Sequence, residues 1–226
     1  MSMMKMKLFK QTGAYHTKTN ACCQDSAAFV SIGEDTAVAA VSDGCSSSLL
    51  GHIGSAVSVR VFTELFSAIP EEKLKKFCIS GRYDDELKKM VIEAIQKAIA
   101  ENRAEHQLFS ATLVGCICHK KRAVFIHVGD GFAARLKYRH ISVVSKPENR
   151  ERTNQTYFVT EPCAKQHIRI TRIKSYDKLL LSTDGLSKAE LNQELFEFEG
   201  IEKFLISNRE NLFDDCSAVV IQSIQK

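Results

Sequence analysis

The stretch Ala37-Val-Ala-Ala-Val-Ser-Asp43-Gly44 is a run of small apolar residues that ends abruptly in an Asp-Gly pair. The same pattern recurs in Phe125-Ile-His-Val-Gly-Asp130-Gly131 and in Leu179-Leu-Leu-Ser-Thr-Asp184-Gly185. Short runs rich in Val, Leu, Ile and Phe, bounded by turn residues, predict buried strands. The chain therefore carries carboxylates at the ends of several core strands.

These acids have two explanations. Asp-Gly is a favoured turn pair, and turn chemistry accounts for any one of them. Three such pairs, together with Asp214-Asp215 directly before the apolar run Cys216–Ile221, favour a shared site. Carboxylates brought close together cannot all ionise unless a cation neutralises them, and Mg²⁺ or Mn²⁺ suits an all-oxygen set. The sequence thus predicts a divalent metal centre, and two ions close together would activate a water for phosphoryl displacement.

The remaining periodicity predicts an α+β fold. The spacing of some strand-like runs is too short for crossover helices, which favours antiparallel pairing. Strands are predicted at Ser26–Ile32, Thr36–Val41, Ala111–Cys118, Ala123–Val128, Ala133–Tyr138, Thr156–Thr160, Ile168–Ile173, Lys178–Ser182 and Ser217–Ile224. Helices are predicted at Ile53–Ile69, at Asp84–Phe109 with Asp84 or Asp85 as the cap, and at Ala189–Ser207 with a break at Gly200.

Bulk composition excludes several classes of protein. The 226 residues carry a formal net charge of +4, without a basic stripe, so nucleic-acid binding is not expected. No apolar run approaches membrane-spanning length, and the N-terminus lacks the apolar region of a secretion signal, so we expect a cytoplasmic protein. The eight cysteines are then expected to be reduced. We expect one domain over residues 1–226.

Six motifs, in order along nearly the whole chain, resemble those of the metal-dependent serine/threonine protein phosphatases of type 2C, in their compact bacterial form. They are Gln24-Asp25-Ser26, Val41-Ser-Asp-Gly44, Ser110-Ala-Thr-Leu-Val114, Val128-Gly-Asp130, Leu181-Ser-Thr-Asp-Gly-Leu186 and Asp214-Asp-Cys-Ser217. Each motif is weak alone, but their order is specific.

The resemblance implies a fold and a set of site residues. The fold would be a four-layer α-β-β-α sandwich with two antiparallel sheets flanked by helices. Asp43 would bridge two Mg²⁺ or Mn²⁺ ions, with the Gly44 carbonyl on one of them, and Asp184 and Asp215 would bind the other. Asp43, Asp184 and Asp215 would thus be the catalytic acids. Asp25 and Asp130 would act in the second shell or through water.

The chain departs from the family pattern at several positions. The arginine that usually holds the substrate phosphate is replaced by Asn20, and the nearby Lys18 is a poor substitute for a bidentate guanidinium. Cys45 stands where animal relatives carry a histidine. Lys188 replaces an acid of the third metal site, so no strong third ion is expected at Asp130. The segment Ser145–Thr156 stands in place of the family's flap and is predicted to be a solvated loop.

Three functions remain open at this point. The first is a phosphatase that removes phosphate from phosphoserine and phosphothreonine in proteins, with a phosphorylated protein as its partner and no nucleic acid or membrane. The second is a catalytically weak phosphatase-like module that binds a phosphorylated partner. The third is a domain in which metal ions are only structural. A monomer is expected in each case.

Overall fold

Two antiparallel five-stranded sheets form the centre of the protein, which we describe from a computed structural model at residues 2–102, 105–150 and 155–225. The first sheet has the strand order β2-β3-β4-β5-β8, and the second has the order β1-β10-β9-β6-β7. The strands are β1 Ser2–Gln11, β2 Ser26–Ile32, β3 Thr36–Ser42, β4 Leu113–His119, β5 Arg122–Val128, β6 Phe132–Lys137, β7 His140–Ser145, β8 Arg169–Ile173, β9 Lys178–Ser182 and β10 Cys216–Gln225.

The inner faces of the two sheets pack against each other. Ala39, Val41 and Cys116 of the first sheet lie in one buried cluster with Leu181 and Val219 of the second. Strand β3 is buried along its whole length, which explains why its sequence is apolar on both faces rather than alternating.

Helices cover the two outer faces. The helices are α1 Ala14–Thr19, α2 Gly51–Ser67, α3 Glu71–Ile79, α4 Asp84–Ala100, α5 Ala164–His167 and α6 Phe198–Ser207. Helices α2, α3 and α4 bury Phe62, Phe77 and Ile95 against the first sheet, and α6 buries Ile201 and Leu205 against the second. The predicted α+β fold of four α-β-β-α layers is confirmed. None of the described helices is both long and apolar enough to cross a membrane.

Several predicted boundaries were wrong. Helix α4 ends at Ala100, and a separate 3₁₀ helix covers His106–Phe109. The N-cap of α4 is Tyr83 rather than Asp84 or Asp85. These two acids lie in the first turn of α4, where their negative charge interacts favourably with the helix dipole. The strand predicted at Thr156–Thr160 does not form; these residues contain a turn and one isolated bridge at Thr156.

The last predicted helix is also divided. Two 3₁₀ helices, Lys188–Glu190 and Gln193–Phe196, precede α6. Gly200 lies inside α6 rather than at a break, and its missing Cβ lets the helix approach the Glu194 carbonyl. The sequence analysis also missed β1, β7, α1, α3 and α5.

Candidate metal centre

Three strand ends converge on an acidic cavity of about 570 Å³. Asp43 follows β3, Asp130 follows β5 after Gly129, and Asp184 follows β9 after Thr183. A single carboxylate oxygen from each of these three acids lies within 4.8 Å of the other two. The residues lining the cavity are Asp43, Cys45, Ser46, Ser47, Asp130, Arg150, Gln155, Thr156, Phe158, Glu161 and Asp184.

The backbone around Asp43 is fixed by Thr112. The Asp43 N–H donates to Thr112 Oγ1 at 3.0 Å, and the Thr112 N–H donates to the Asp43 carbonyl at 2.8 Å. The next residue, Gly44, is also fixed by its backbone, since its N–H donates to the Gln24 carbonyl at 3.2 Å. A Cβ on Gly44 would lie 2.8 Å from that carbonyl oxygen and closer still to the Gly51 carbonyl, so only glycine fits.

Asp25 lies beneath these acids and is only 1% exposed. Its Oδ2 accepts a hydrogen bond of 2.6 Å from the Thr183 hydroxyl, whereas Oδ1 has no partner among the described residues. Burial raises the pKa of Asp25 to about 7, against the opposing effect of its hydrogen bond to Thr183. This carboxyl therefore needs either a proton or a nearby cation.

The other acids of the site also have raised pKa values. Burial, followed by the charges of Asp25 and Asp184, raises the pKa of Asp43 well above its ordinary value. Asp184 is exposed as a residue, but desolvation of its carboxylate, followed by the charges of Asp130 and Asp214, raises its pKa to about 7. The pKa of Asp130 is also raised, mainly by burial, and its Oδ1 has no partner among the described residues. The cluster is thus built for positive charge rather than for mutual pairing.

Asp215 is not part of this three-acid group. Its Oδ1 accepts from the Gly13 N–H at 2.8 Å, and its Oδ2 accepts from His16 Nδ1 at 2.9 Å and from the Gln24 N–H at 2.6 Å. The side chain is only 1% exposed. The structure therefore places Asp215 as the acceptor that joins α1 and the Gln24 segment to the start of β10. Its neighbour Asp214 contributes to the raised pKa of Asp43, Asp130 and Asp184.

Two positions that depart from the family pattern lie elsewhere than expected. Lys188 is exposed at the start of a 3₁₀ helix and makes no ion pair or hydrogen bond with Asp130 in the described residues. Asn20 ends α1 in the left-handed conformation (φ 53°), is exposed, and is not one of the residues that line the cavity.

Sequence reasoning missed three contributors to the site. They are Thr112 and Thr183, which hold the acids, and Arg150, which lines the cavity. The two threonines lie within quoted motifs, Ser110–Val114 and Leu181–Leu186, so their position was a usable signal. Arg150 lies in the segment interpreted as a solvated loop and gave no local signal.

Comparison with known families gives a match over most of the chain. The family profile described as Protein phosphatase 2C matches residues 12–215, nearly the whole chain. The chain belongs to this family. By class it is a protein serine/threonine phosphatase, a metal-dependent hydrolase. A search of the curated proteins found no significant match.

Solved structures share the fold over their whole length. A variant of a bacterial serine phosphatase superposes with a TM-score of 0.74 at 18% identity, covering 98% of each chain. The serine/threonine phosphatase Stp1 from Staphylococcus aureus gives 0.73 at 16% identity, covering 99% of this chain and 96% of that one. The catalytic domain of the phosphatase PstP, in complex with two manganese ions, gives 0.70 at 17% identity and covers 100% of both chains. At these identities the likeness concerns the fold.

Proposed function

We propose that this chain removes phosphate from phosphoserine and phosphothreonine in proteins, using water activated by two Mg²⁺ or Mn²⁺ ions at the acidic cluster. The observation that carries the proposal is the convergence of Asp43, Asp130 and Asp184, whose carboxylate oxygens lie within 4.8 Å of one another at an open cavity.

The donor set fits such ions. All three side chains offer hard oxygen ligands, which Mg²⁺ and Mn²⁺ prefer. The unpartnered Oδ1 atoms of Asp25 and Asp130 would gain from a nearby cation or its water ligands. The relative PstP, with two manganese ions, offers a precedent for this stoichiometry.

We assign the ligands with two changes from the sequence-based set. Asp43, the Gly44 carbonyl and Asp184 remain ligands, and Asp130 joins them because its carboxylate belongs to the same group and its Oδ1 has no partner among the described residues. Asp214 replaces Asp215, since all three contacts of Asp215 are to N–H donors away from the group. Asp25 supports the centre from below through its hydrogen bond to Thr183.

Bound ions would lower the pKa of a water and stabilise charge on the phosphate during in-line displacement. The protein contributes the rigid placement of the acids: Thr112 fixes the backbone of Asp43, and Thr183 links Asp25 to β10 through the Ser217 N–H. The cavity wall of Ser46, Ser47, Gln155 and Thr156 supplies polar groups around the entering phosphate.

Hydrolysis of a phosphoserine peptide and of p-nitrophenyl phosphate tests the proposal. We expect turnover with Mn²⁺ that a chelator abolishes and that Asp43→Asn lacks. The phosphatase-like binding module predicts instead that the phosphopeptide binds without turnover, and a structural metal predicts neither. Crowded acids with raised pKa values favour the enzyme, because a binding module gains nothing from their repulsion.

A further inference from the structure

Among the described residues that line the cavity, one side chain is a cation and several are acids or hydroxyls. Arg150 is the only Lys or Arg among the described residues that line it. The substrate phosphate is a dianion, and a cluster of acids repels it wherever bound metal does not neutralise them. Neither Asn20 nor Lys18 lines this cavity, so the family's usual position for a phosphate-binding cation is not available.

Arg150 is held in place from three sides. Its Nε donates to the Thr156 carbonyl at 2.9 Å, and its Nη2 donates to Glu161 Oε1. The guanidinium lies 4.9 Å from the centre of the Tyr157 ring, which stacks on His167 at 3.4 Å and 9°. A guanidinium oriented in this way loses little conformational entropy when it binds a further anion. Nη1 has no acceptor among the described residues.

Glu161 also lines the cavity, and its carboxylate takes the guanidinium edge that an anion would use. Both side chains are partly exposed, at 37% for Arg150 and 23% for Glu161, so solvent and substrate can reach the pair. The Glu161 carboxylate, with one negative charge, thus occupies the position on Arg150 that suits the doubly charged substrate phosphate.

We propose that Arg150 binds the substrate phosphate, exchanging part of its contact with Glu161 for the phosphate oxygens. The inference rests on the proposed function and identifies the group that takes the place of the missing N-terminal arginine. Arg150 then sets substrate affinity, whereas the metal ligands set the rate of the chemical step. Glu161 competes with the substrate for Arg150.

A purely structural arginine predicts a different pattern. If the Arg150–Glu161 pair only fastened residues 150–161, removal of either partner would do the same damage. A phosphate-binding arginine predicts opposite effects: Arg150→Ala weakens substrate binding, and Glu161→Gln strengthens it. The two single variants therefore distinguish the roles.

Steady-state hydrolysis of p-nitrophenyl phosphate with saturating Mn²⁺ measures these effects. For Arg150→Ala we expect KM to rise at least about tenfold, with kcat within about threefold, since a charge-assisted hydrogen bond is lost. The KM of Arg150→Lys should lie between the KM values of the wild type and Arg150→Ala. Glu161→Gln should lower KM. The inhibition constant of inorganic phosphate should follow KM: it should be lowest for Glu161→Gln and highest for Arg150→Ala.

Arg82→Ala is the matched control, because Arg82 also lies over a tyrosine ring, at 4.7 Å from that of Tyr83, but does not line the cavity. It should leave KM unchanged. Thermal unfolding and Mn²⁺ titration check that each variant folds and binds metal. A KM for Arg150→Ala within twofold of wild type, or a parallel rise in KM for Glu161→Gln, would overturn the inference.

Failure of the proposed function looks different. If the wild-type protein shows no Mn²⁺-dependent turnover, the phosphatase proposal fails, while calorimetric binding of inorganic phosphate to the Mn²⁺-loaded protein still tests Arg150. Phosphate binding that Arg150→Ala leaves unchanged would then contradict the role of Arg150 by itself.

Discussion

His16 Nδ1 lies 2.9 Å from Asp215 Oδ2, and both side chains are almost completely buried. The pair joins the short helix α1 to the start of β10. The Gly13 and Gln24 N–H groups donate to the same carboxylate, so one side chain organises the backbone before Asp25. Asp214, the residue immediately before it, is the acid that acts electrostatically on Asp43 and Asp184.

This division of roles predicts that the neighbouring acids fail in different ways. Asp215→Asn places an amide among three donors, so at least one loses its acceptor and the buried histidine loses its anion. We expect the free energy of unfolding to fall by about 3 kcal/mol, while the folded fraction still binds Mn²⁺. Asp214→Asn should weaken Mn²⁺ binding at least about tenfold without loss of stability in chelator.

Chemical denaturation in chelator and calorimetric Mn²⁺ titration measure the two effects separately. Each variant serves as the control for the other, since both change one carboxylate of the same dipeptide to an amide. Stable Asp215→Asn protein that binds no Mn²⁺, beside Asp214→Asn that binds it normally, would restore Asp215 as the ligand.

The metal-free protein should lose stability as pH rises. Asp25 and Asp184 have pKa values of about 7 in the folded state, raised from 3.8 mainly by burial. Between about pH 4 and pH 7 the folded protein therefore holds protons that the unfolded chain has released. The free energy of unfolding is highest below this window, falls through it, and levels off above it.

Denaturation in chelator at several pH values across that window checks this trend. Asp25→Asn should flatten the slope, because the amide does not titrate and still accepts the Thr183 hydrogen bond. Asp85→Asn, at an exposed position on α4, is the matched control and should keep the wild-type slope. Stability that rises with pH in chelator would contradict the raised pKa values.

Gly44→Ala tests the crowding at the site. Its Cβ would lie 2.8 Å from the Gln24 carbonyl oxygen and closer to that of Gly51, and both neighbours are backbone that cannot rotate away. We expect a loss of about 1–3 kcal/mol in the free energy of unfolding, with reduced Mn²⁺ affinity because Gly44 and Asp43 shift together. Gly81→Ala, with its nearest atom at 3.6 Å, should be tolerated. If Gly44→Ala and Gly81→Ala have the same free energy of unfolding, the backbone around Gly44 is not crowded.

The core strands and the position of the acids could be predicted because they depend on local sequence. An uninterrupted apolar run such as Thr36–Val41 has no other place than the interior, and β3 occupies Thr36–Ser42. Strand β1 was not predicted, although it pairs with β10 along its whole length. Pairing with a distant strand leaves little local signal.

The finer features of the site depend on contacts made in the folded protein. Asp214 and Asp215 are identical in type and adjacent, and the contacts of Asp215 with Gly13, His16 and Gln24 distinguish them. Arg150 is held by Thr156 and Glu161, contacts that no local pattern announces. The motifs therefore predicted that Asp43 and Asp184 lie close together, whereas the roles of Asp214, Asp215 and Arg150 depend on contacts made in the folded protein.

Asp43→Asn should remove activity and at the same time stabilise the metal-free fold. Asp43 has a pKa raised well above its ordinary value by burial and then by the charges of Asp25, Asp184, Asp214 and Asp130. Replacing it with a neutral amide of the same shape relieves that repulsion, so the free energy of unfolding in chelator should increase at pH above about 7.

In Mn²⁺ the order should reverse. The wild type gains stability from bound ions by mass action, and the variant, which lacks a central ligand, gains much less. Turnover should fall at least about a hundredfold, beyond the usual cost of an outer-shell change. Asp85→Asn again supplies the control. An Asp43→Asn protein that is stabilised by Mn²⁺ like the wild type and still turns over would contradict the assignment, because one carboxylate cannot be both a central ligand and dispensable for binding the ions.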